Sequence, residues 1–310
     1  MSKATRQSFG ERVTELAETN PNIVVMDADL GKSTMTGAFQ KKFPERYFEF
    51  GIAEQNMIST AAGLALGGKI PFAASFACFL INRFETVRMS VSYSNTNVKL
   101  VGTHAGVGIG EDGNSQMGLE DIALLRPLPN FTILQPADDL EARQAVAWAA
   151  DHLGPVYLRL TRQKLEDIHG ADYKFQVGKG DVLKTAKGNP TLTIFATGGV
   201  VYNALKAVEE LEKEGMAIPL VNIHTIKPFD RDLVLSLGKI SKNILTIEDH
   251  NKVGGLGSAV SETIADAGLA VKVHRHGVEG FGESGSPSEL YEKFGFSSSK
   301  IKSLITSLAR

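Results

Sequence analysis

The 310-residue sequence is poor in cysteine and has no long apolar run. Cys78 is its one cysteine, which excludes a disulfide within the chain and indicates a reducing compartment. No apolar run approaches the roughly 20 residues that span a bilayer, and the N-terminal stretch MSKATRQSFGERVTEL lacks the apolar core of a signal peptide. We therefore expect a cytoplasmic protein that does not enter a membrane.

An excess of charge of one sign is also missing. The sequence has 33 Lys and Arg against 35 Asp and Glu, a formal net charge of -2. Because it also has no long run of Lys or Arg, it lacks the electrostatic footprint of proteins that bind nucleic acid or acidic membranes. His250, His274 and His276 do not have metal-ligand spacing. We expect chemistry on small molecules and no metal held by this chain alone.

What the sequence does contain is a repeated alternation of strand-length apolar runs with amphipathic helical segments. This alternation is typical of α/β proteins in which helices flank a mostly parallel sheet. It occurs twice, separated by a polar, irregular stretch. We predict two such domains, at residues 1–165 and 189–310, joined by a linker at residues 166–188.

Glu54 is the first candidate for chemistry, at the start of a small-residue helix in the run GIAEQNMISTAAGLALG. A poorly hydrated carboxyl there would be able to share a proton near neutrality. The alternative is a glutamate that only stabilises the helix N-terminus through the helix dipole.

Two further segments contain aromatic and polar side chains. Phe76 and Phe79, three residues apart, would share one helix face, although such pairs are usually core. After the strand NVKLVG, a glycine-rich loop contains His104, Asp112 and Gln116, which could contact sugar hydroxyls; an ordinary surface loop is the alternative. The G-x-G-x-x-G pattern in this loop carries two carboxylates and lies in mid-domain, so we reject a dinucleotide site.

Other candidates follow predicted strands. Ser33 comes shortly after the strand that ends near Asp29, and Arg162 follows the strand PVYLRLT. Ligands of parallel sheets bind at the carboxyl ends of strands. Together with Arg6, these hydroxyl and guanidinium donors could form a phosphate clamp.

In this order, GIAEQNM, the Phe76 and Phe79 segment, THAGVGIGEDGNSQM, LTRQ and VNIHTIKPFD resemble transketolase, from about Arg6 to the C-terminus. The resemblance implies the pyrimidine-binding domain and the C-terminal domain of that family. It places Glu54 on N1′ of the aminopyrimidine of thiamine diphosphate, in a catalytic role. It also assigns Phe79, Phe76 and Asp29 to the cofactor.

The same resemblance implies the substrate contacts. The residues expected at the sugar phosphate are Arg6, Ser33, His104 and Arg162, with a catalytic role for His104 as well. Asp112 is expected at a substrate hydroxyl. Gln116 stands where yeast and many bacterial transketolases have histidine and in this respect is similar to the animal enzymes.

The family's partner half also has a bearing on this chain. Transketolases hold Mg²⁺ and the diphosphate with a G-D-G motif followed by N-N or a near variant, and neither occurs in this sequence. The resemblance therefore implies a split enzyme, in which a separate N-terminal subunit binds the diphosphate. An exposed pyrimidine pocket with Phe79 and Glu54 would also be an apolar patch that needs cover, so we expect a homodimer within an α2β2 assembly. Met1-Ser2-Lys3 is interpreted as a natural start, with a truncated chain as the alternative.

The expected reaction is transfer of a two-carbon ketol unit from a ketose phosphate to an aldose phosphate. Two relatives with the same cofactor, deoxyxylulose-phosphate synthase and the 2-oxo acid dehydrogenase E1 β-subunit, are alternatives. A non-catalytic assembly subunit that kept the fold is another. The G-E-D-G-N-S-Q-M loop and the set Arg6, Ser33 and Arg162 favour transketolase.

Overall fold

The computed structural model describes residues 2–309. Met1 and Arg310, at the outer ends of the two predicted domains, lie outside the described residues. The chain forms one seven-stranded and one five-stranded sheet, both mostly parallel and flanked by helices. The prediction of an α/β fold with two mostly parallel sheets flanked by helices is confirmed.

The first part of the chain supplies six strands. They are β1 (Ile23–Asp27), β2 (Tyr47–Glu49), β3 (Ile70–Phe76), β4 (Lys99–Thr103), β5 (Thr132–Leu134) and β6 (Val156–Arg159). Five are buried over most of their length, as expected for a sheet covered on both faces, and the edge strand β2 is largely exposed.

Eight helices accompany these strands. They are α1 (Thr5–Thr19), α2 (Gly31–Thr34), α3 (Gly37–Lys42), α4 (Glu54–Leu66), α5 (Ala77–Ile81), α6 (Phe84–Thr86), α7 (Asp121–Leu125) and α8 (Asp139–Asp151). A π-helical segment at Val87–Tyr93 continues α6, and short 3₁₀ turns lie at Pro44–Arg46, Val107–Ile109 and Asn114–Gln116.

The second part supplies the remaining strands and five more helices. The strands are β7 (Asp181–Lys184), β8 (Leu192–Thr197), β9 (Leu220–Asn222), β10 (Thr225–Lys227), β11 (Asn243–Asn251) and β12 (Lys272–Val278). The helices are α9 (Val201–Lys213), which follows a 3₁₀ turn at Gly198–Val200, α10 (Arg231–Ile240), α11 (Leu256–Asp266), α12 (Pro287–Lys293) and α13 (Ser298–Ala309).

The two sheets are connected more closely than the sequence suggests. Their strand orders are β10-β5-β6-β4-β3-β1-β2 and β12-β11-β8-β9-β7. The continuous apolar run IPLVNIHTI forms two strands. β9 pairs with β8 in the second sheet, and β10 crosses to pair antiparallel with β5 in the first. The second part of the chain therefore completes the first sheet.

The stretch at residues 166–188 was expected to be an irregular linker, but part of it is regular. Its β7 is an antiparallel edge strand of the second sheet. His169 lies 2.7 Å from Asp138 Oδ2 and 3.0 Å from Asp181 Oδ2. Burial opposes a charge on His169, but its hydrogen bonds to both carboxylates raise its pKa to about 10. An imidazolium thus ties this segment to the start of α8 and also holds the segment's own β7, the edge strand of the second sheet.

Within residues 2–309, none of the helices combines the length and the apolar character that a bilayer crossing requires.

Candidate active site

The carboxyl ends of four parallel strands lie along one edge of the first sheet. In β1, β3, β4 and β6 the strands pair in parallel register. Loops and helix starts that follow them therefore meet at this edge, where ligands of such sheets bind. Most of the predicted site residues come from these connections.

Glu54 is the first residue of α4 and only 3% exposed. Its Oε1 accepts a hydrogen bond of 3.2 Å from the Ser75 hydroxyl at the end of β3. Its Oε2 lies 4.0 Å from Arg83 Nη2, beyond hydrogen-bond distance. The carboxyl forms the floor of an open depression of about 490 Å³ with Ile52 at its rim, 84% exposed. One carboxyl oxygen is thus fixed and the other remains for a ligand.

Three rings form a continuous stack beside the strand ends. The Phe76 and Phe79 rings are 5.4 Å apart and nearly parallel at 7°, and the Phe76 and His104 rings are 3.7 Å apart at 21°. The spacing had indicated that the two phenylalanines share one helix face, but they do not lie in the same helix. Phe76 ends β3 and Phe79 lies in α5, so the strand-to-helix turn aligns them.

His104 connects the stack to a basic side chain. Arg6 Nη1 donates to the Ser33 carbonyl at 2.7 Å and contacts His104 Nε2 at 2.9 Å. His104 has a positive φ of 58°, which costs energy for a residue other than glycine. Burial, together with the positive charges of Arg6 and Arg162, lowers the pKa of His104 to about 3. The imidazole is therefore neutral at physiological pH.

A buried carboxyl holds the loop that places Ser33. Asp27, at the end of β1, accepts hydrogen bonds from the Leu30 amide at 2.6 Å and from the Thr34 and Thr36 hydroxyls at 2.6 and 3.1 Å. Burial outweighs these bonds and raises the pKa of Asp27 to about 6. The turn after β1 is thereby fixed, and with it the Ser33 carbonyl that receives Arg6.

Arg162 and Asp112 belong to the same cluster. Arg162 Nη1 donates to the Ile109 carbonyl at 2.5 Å and to Glu111 at 3.0 Å. Burial has the largest effect on the pKa of Arg6 and lowers it. The charge of Arg162 lowers this pKa further, and the charge of Asp112 raises it. Two guanidinium groups therefore lie close together, and Arg6 Nε, buried, has no hydrogen-bond partner among residues 2–309.

Asp29 and Gln116 lie apart from these contacts. Asp29 is exposed, donates its backbone N–H to Glu49 and lines a separate cleft beside Ser33 and Lys41. Gln116 ends a 3₁₀ turn, and its backbone carbonyl receives the Cys78 thiol at 3.2 Å. The roles expected for these two side chains remain predictions.

The second domain fixes the glycine-rich loop, a relation that sequence reasoning missed. Asp249 in β11 is fully buried and accepts hydrogen bonds from the backbone N–H groups of Val107 and Gly108, at 2.8 and 3.3 Å, and from the Tyr291 hydroxyl at 3.0 Å. Burial raises the pKa of Asp249. The segment with His104 and Asp112 therefore depends on the second domain for its shape.

Gly106 allows the loop to approach Asp249, which leads to a prediction for stability. Its φ is +83°, and a Cβ there would lie 2.3 Å from Asp249 Oδ2. We expect Gly106→Ala to lower the free energy of unfolding by about 2–4 kcal/mol through backbone strain and overpacking. Chemical denaturation measures this loss. Gly188→Ala is the control, since Gly188 also has positive φ but open space around it; equal losses would remove the clash with Asp249 as the cause.

Ser75 and Thr103 are two more residues that the sequence reasoning passed over. Both are fully buried, and Thr103 donates to the Ser75 carbonyl at 3.3 Å and contacts His104 Nδ1 at 2.8 Å. Ser75 is the last residue but one of β3 and Thr103 ends β4, and each directly precedes a predicted site residue, Phe76 or His104. A search for hydroxyls near the strand ends would have found them.

Comparison with known proteins links the whole chain to one family. Residues 1–167 match the family profile of the transketolase pyrimidine-binding domain, and residues 179–301 match that of the transketolase C-terminal domain. A Methanocaldococcus jannaschii protein described as a transketolase C-terminal section is 43% identical over 96% of this chain and 94% of its own length. Human transketolase is 37% identical over 98% of this chain, which spans 49% of the human protein.

Solved structures give the same result. A chain described as a split-gene transketolase, an inactive β4 tetramer, has a TM-score of 0.88 and 41% identity, with 99% of each chain covered. The transketolase of Campylobacter jejuni has a TM-score of 0.84 and 28% identity; the match covers 99% of this chain and 47% of that one.

Proposed function

The chain belongs to the transketolase family, and from that premise we propose that it is the C-terminal subunit of a thiamine diphosphate-dependent transketolase. In this proposal it transfers a two-carbon ketol unit from a ketose phosphate to an aldose phosphate together with a separate diphosphate-binding chain. The observation that carries the proposal is a buried carboxyl with one free oxygen beside an aromatic stack and a pair of arginines.

The residues present fit the pyrimidine end of thiamine diphosphate. Glu54 Oε1 is held by Ser75, whereas Oε2 has no hydrogen-bond partner among residues 2–309, and the side chain lines the depression beside Ile52. Phe79 lies on the outer side of the ring stack, only partly buried. Glu54 would face a ring nitrogen, and Phe79 would pack on the ring.

When bound, the cofactor supplies the carbanion chemistry that cleaves a ketose and accepts its two-carbon unit. This chain contributes control of one proton. Glu54 would hold or share a proton at Oε2, while the Ser75 hydroxyl keeps Oε1 occupied as an acceptor. Glu54 is only 3% exposed, and a ligand ring over the depression would exclude water that competes for that proton.

The arginine pair supports a phosphorylated substrate. Burial lowers the pKa of Arg6, and the positive charge of Arg162 lowers it further, which indicates repulsion between the two guanidinium groups. A phosphate would relieve this repulsion and could accept from the unpartnered Arg6 Nε. Asp112 and His104 lie beside it, where they would contact the sugar.

The diphosphate end and its Mg²⁺ are assigned to the partner chain, because this sequence has neither the G-D-G nor the N-N motif. The extent of the chain, about half of human transketolase, supports a two-chain enzyme. Exposed Ile52 and Leu66 at the two ends of α4 support burial of this helix in an assembly, and we assign it to a homodimer within an α2β2 complex.

The test is an assay of the chain mixed with its diphosphate-binding partner, thiamine diphosphate and Mg²⁺. Ketol transfer between sugar phosphates is expected across part of a substrate panel. Decarboxylation of a 2-oxo acid instead would favour a deoxyxylulose-phosphate synthase or an E1 β-subunit. A complex that forms without either reaction would identify an assembly subunit.

Arg162→Ala should raise KM for phosphorylated acceptors about ten-fold or more and leave unphosphorylated analogues little changed. Losing one charge-assisted contact costs about 1.5–3 kcal/mol. Steady-state kinetics of the two-chain enzyme measures this difference. Arg12→Ala is the control, because Arg12 makes only a surface ion pair with Glu15. Equal losses for both kinds of acceptor would remove Arg162 from the phosphate site.

A further inference from the structure

Two buried hydroxyls connect Glu54 to His104. The Ser75 hydroxyl donates to Glu54, and the Ser75 carbonyl accepts from Thr103, which contacts His104 Nδ1. Ser75 lies in β3 and Thr103 in the neighbouring β4, where Thr103 is paired with Phe76. The path therefore rests on two paired strands of the first sheet.

The contact with Arg6 indicates which nitrogen of His104 carries the proton. A guanidinium can only donate, so His104 Nε2, 2.9 Å from Arg6 Nη1, must be the acceptor. A neutral imidazole with a bare Nε2 carries its proton on Nδ1. Burial and the nearby arginines keep the ring neutral, with a pKa of about 3.

Thr103 is the residue that accommodates this tautomer. Its oxygen lies 2.8 Å from Nδ1 and can accept that proton, while its own hydrogen points to the Ser75 carbonyl at 3.3 Å. The Ser75 carbonyl thus leaves Thr103 free to accept from His104. Every donor on the path therefore has an acceptor when Nδ1 carries the proton. With the proton on Nε2, that N–H would face the Arg6 donor instead.

We propose that Thr103 is a positioning residue that fixes His104 as the Nδ1-protonated tautomer, so that Nε2 and the Ser33 carbonyl together orient Arg6 for the substrate phosphate. The inference rests on the proposed function for the identity of that phosphate. It assigns His104, before substrate binds, the task of holding Arg6 rather than of donating a proton.

Removal of the hydroxyl should reverse this arrangement. In Thr103→Val, the buried Nδ1–H would have no acceptor, so the ring should move its proton to Nε2. Nε2–H and Arg6 Nη1–H would then be two donors facing each other, and Arg6 should lose its orientation. Thr103→Ser keeps the hydroxyl and should keep the tautomer.

The first test uses the isolated chain and needs no activity. Long-range ¹H–¹⁵N spectra of histidine-labelled protein, with the His104 signals identified by their loss in His104→Gln, report the protonated nitrogen. Protonated Nδ1 is expected in the wild type and in Thr103→Ser, and protonated Nε2 in Thr103→Val. A wild-type ring protonated on Nε2, or a Val variant identical to wild type, would overturn the proposal.

The second test uses the two-chain enzyme. Thr103→Val should raise KM for phosphorylated substrates about three- to ten-fold and leave thiamine diphosphate affinity unchanged, whereas Thr103→Ser restores KM. Thr246→Val controls for removal of a buried hydroxyl, because Thr246 Oγ1 has no hydrogen-bond partner among the described residues. A changed tautomer with unchanged KM would overturn the link to Arg6. Absence of ketol transfer in the wild type would instead refute the proposed function, and the spectra would still decide the tautomer.

Discussion

Glu54→Gln should lower kcat for ketol transfer by about 10²–10⁴-fold while the fold stays intact. Positioned proton transfer contributes this much in typical enzymes. The amide has the size of the carboxyl, and its oxygen can still accept from Ser75, so the contact at Oε1 survives. At the position of Oε2, however, an NH₂ group would face the ligand, and it cannot take up a proton as the carboxylate can.

The experiment compares kcat and the denaturation midpoint of the variant with those of the wild type. Glu85→Gln is the matched control, because Glu85 is exposed in the nearby α6 and undergoes the same chemical change. It should have wild-type kcat. A Glu54→Gln enzyme that keeps most of the wild-type rate would show that this carboxyl does not handle the proton.

The parts of the site that depend on short-range patterns could be predicted from the sequence. A strand-like run, a glycine and a small-residue helix place Glu54 at a helix start, and the structure has it there. Ser33, His104 and Arg162 follow β1, β4 and β6, whose carboxyl ends meet at one edge. Arg6 is the second residue of α1 and reaches this edge from there, so the strand-end rule does not place it.

Contacts between distant parts of the chain could not be predicted in this way. Asp249 is 142 residues from Val107, and nothing in the run ILTIEDH indicates that its carboxyl supports a loop of the other domain. Besides its positive φ, Gly106 is required by this contact, since a Cβ there would lie 2.3 Å from Asp249 Oδ2. The crossing of β10 into the first sheet likewise depends on tertiary packing that overrides a locally continuous apolar run.

The ring stack shows where a local rule fails. Spacing of three residues suggests one helix face for Phe76 and Phe79, but Phe76 ends β3 and directs its ring toward His104. A spacing of three residues does not distinguish two positions in one helix from two positions on either side of a strand-to-helix junction. The two interpretations give the same pair of residues and a different geometry, and only the second includes His104.

Without a second chain, the protein should bind thiamine diphosphate at least about 100-fold more weakly than the complex and show no ketol transfer. Each charge-assisted contact to the diphosphate is worth about 1.5–3 kcal/mol, and 1.4 kcal/mol is ten-fold in affinity. Two such contacts account for a 100-fold difference. This sequence has no motif for them, so the chain keeps only the ring contacts of Phe79 and Glu54.

Isothermal titration calorimetry with and without Mg²⁺ separates the two ends of the cofactor. Binding to the isolated chain should be weak and independent of Mg²⁺, because Mg²⁺ would act at the diphosphate and this sequence has no motif for that end. With the partner present, binding should become tight and should be lost on chelation of Mg²⁺. Self-association of the chain should not substitute for the partner, because copies of the same sequence supply further pyrimidine sites but no diphosphate site. Tight, Mg²⁺-dependent binding by the isolated chain, or transfer activity without the partner, would refute the two-chain enzyme.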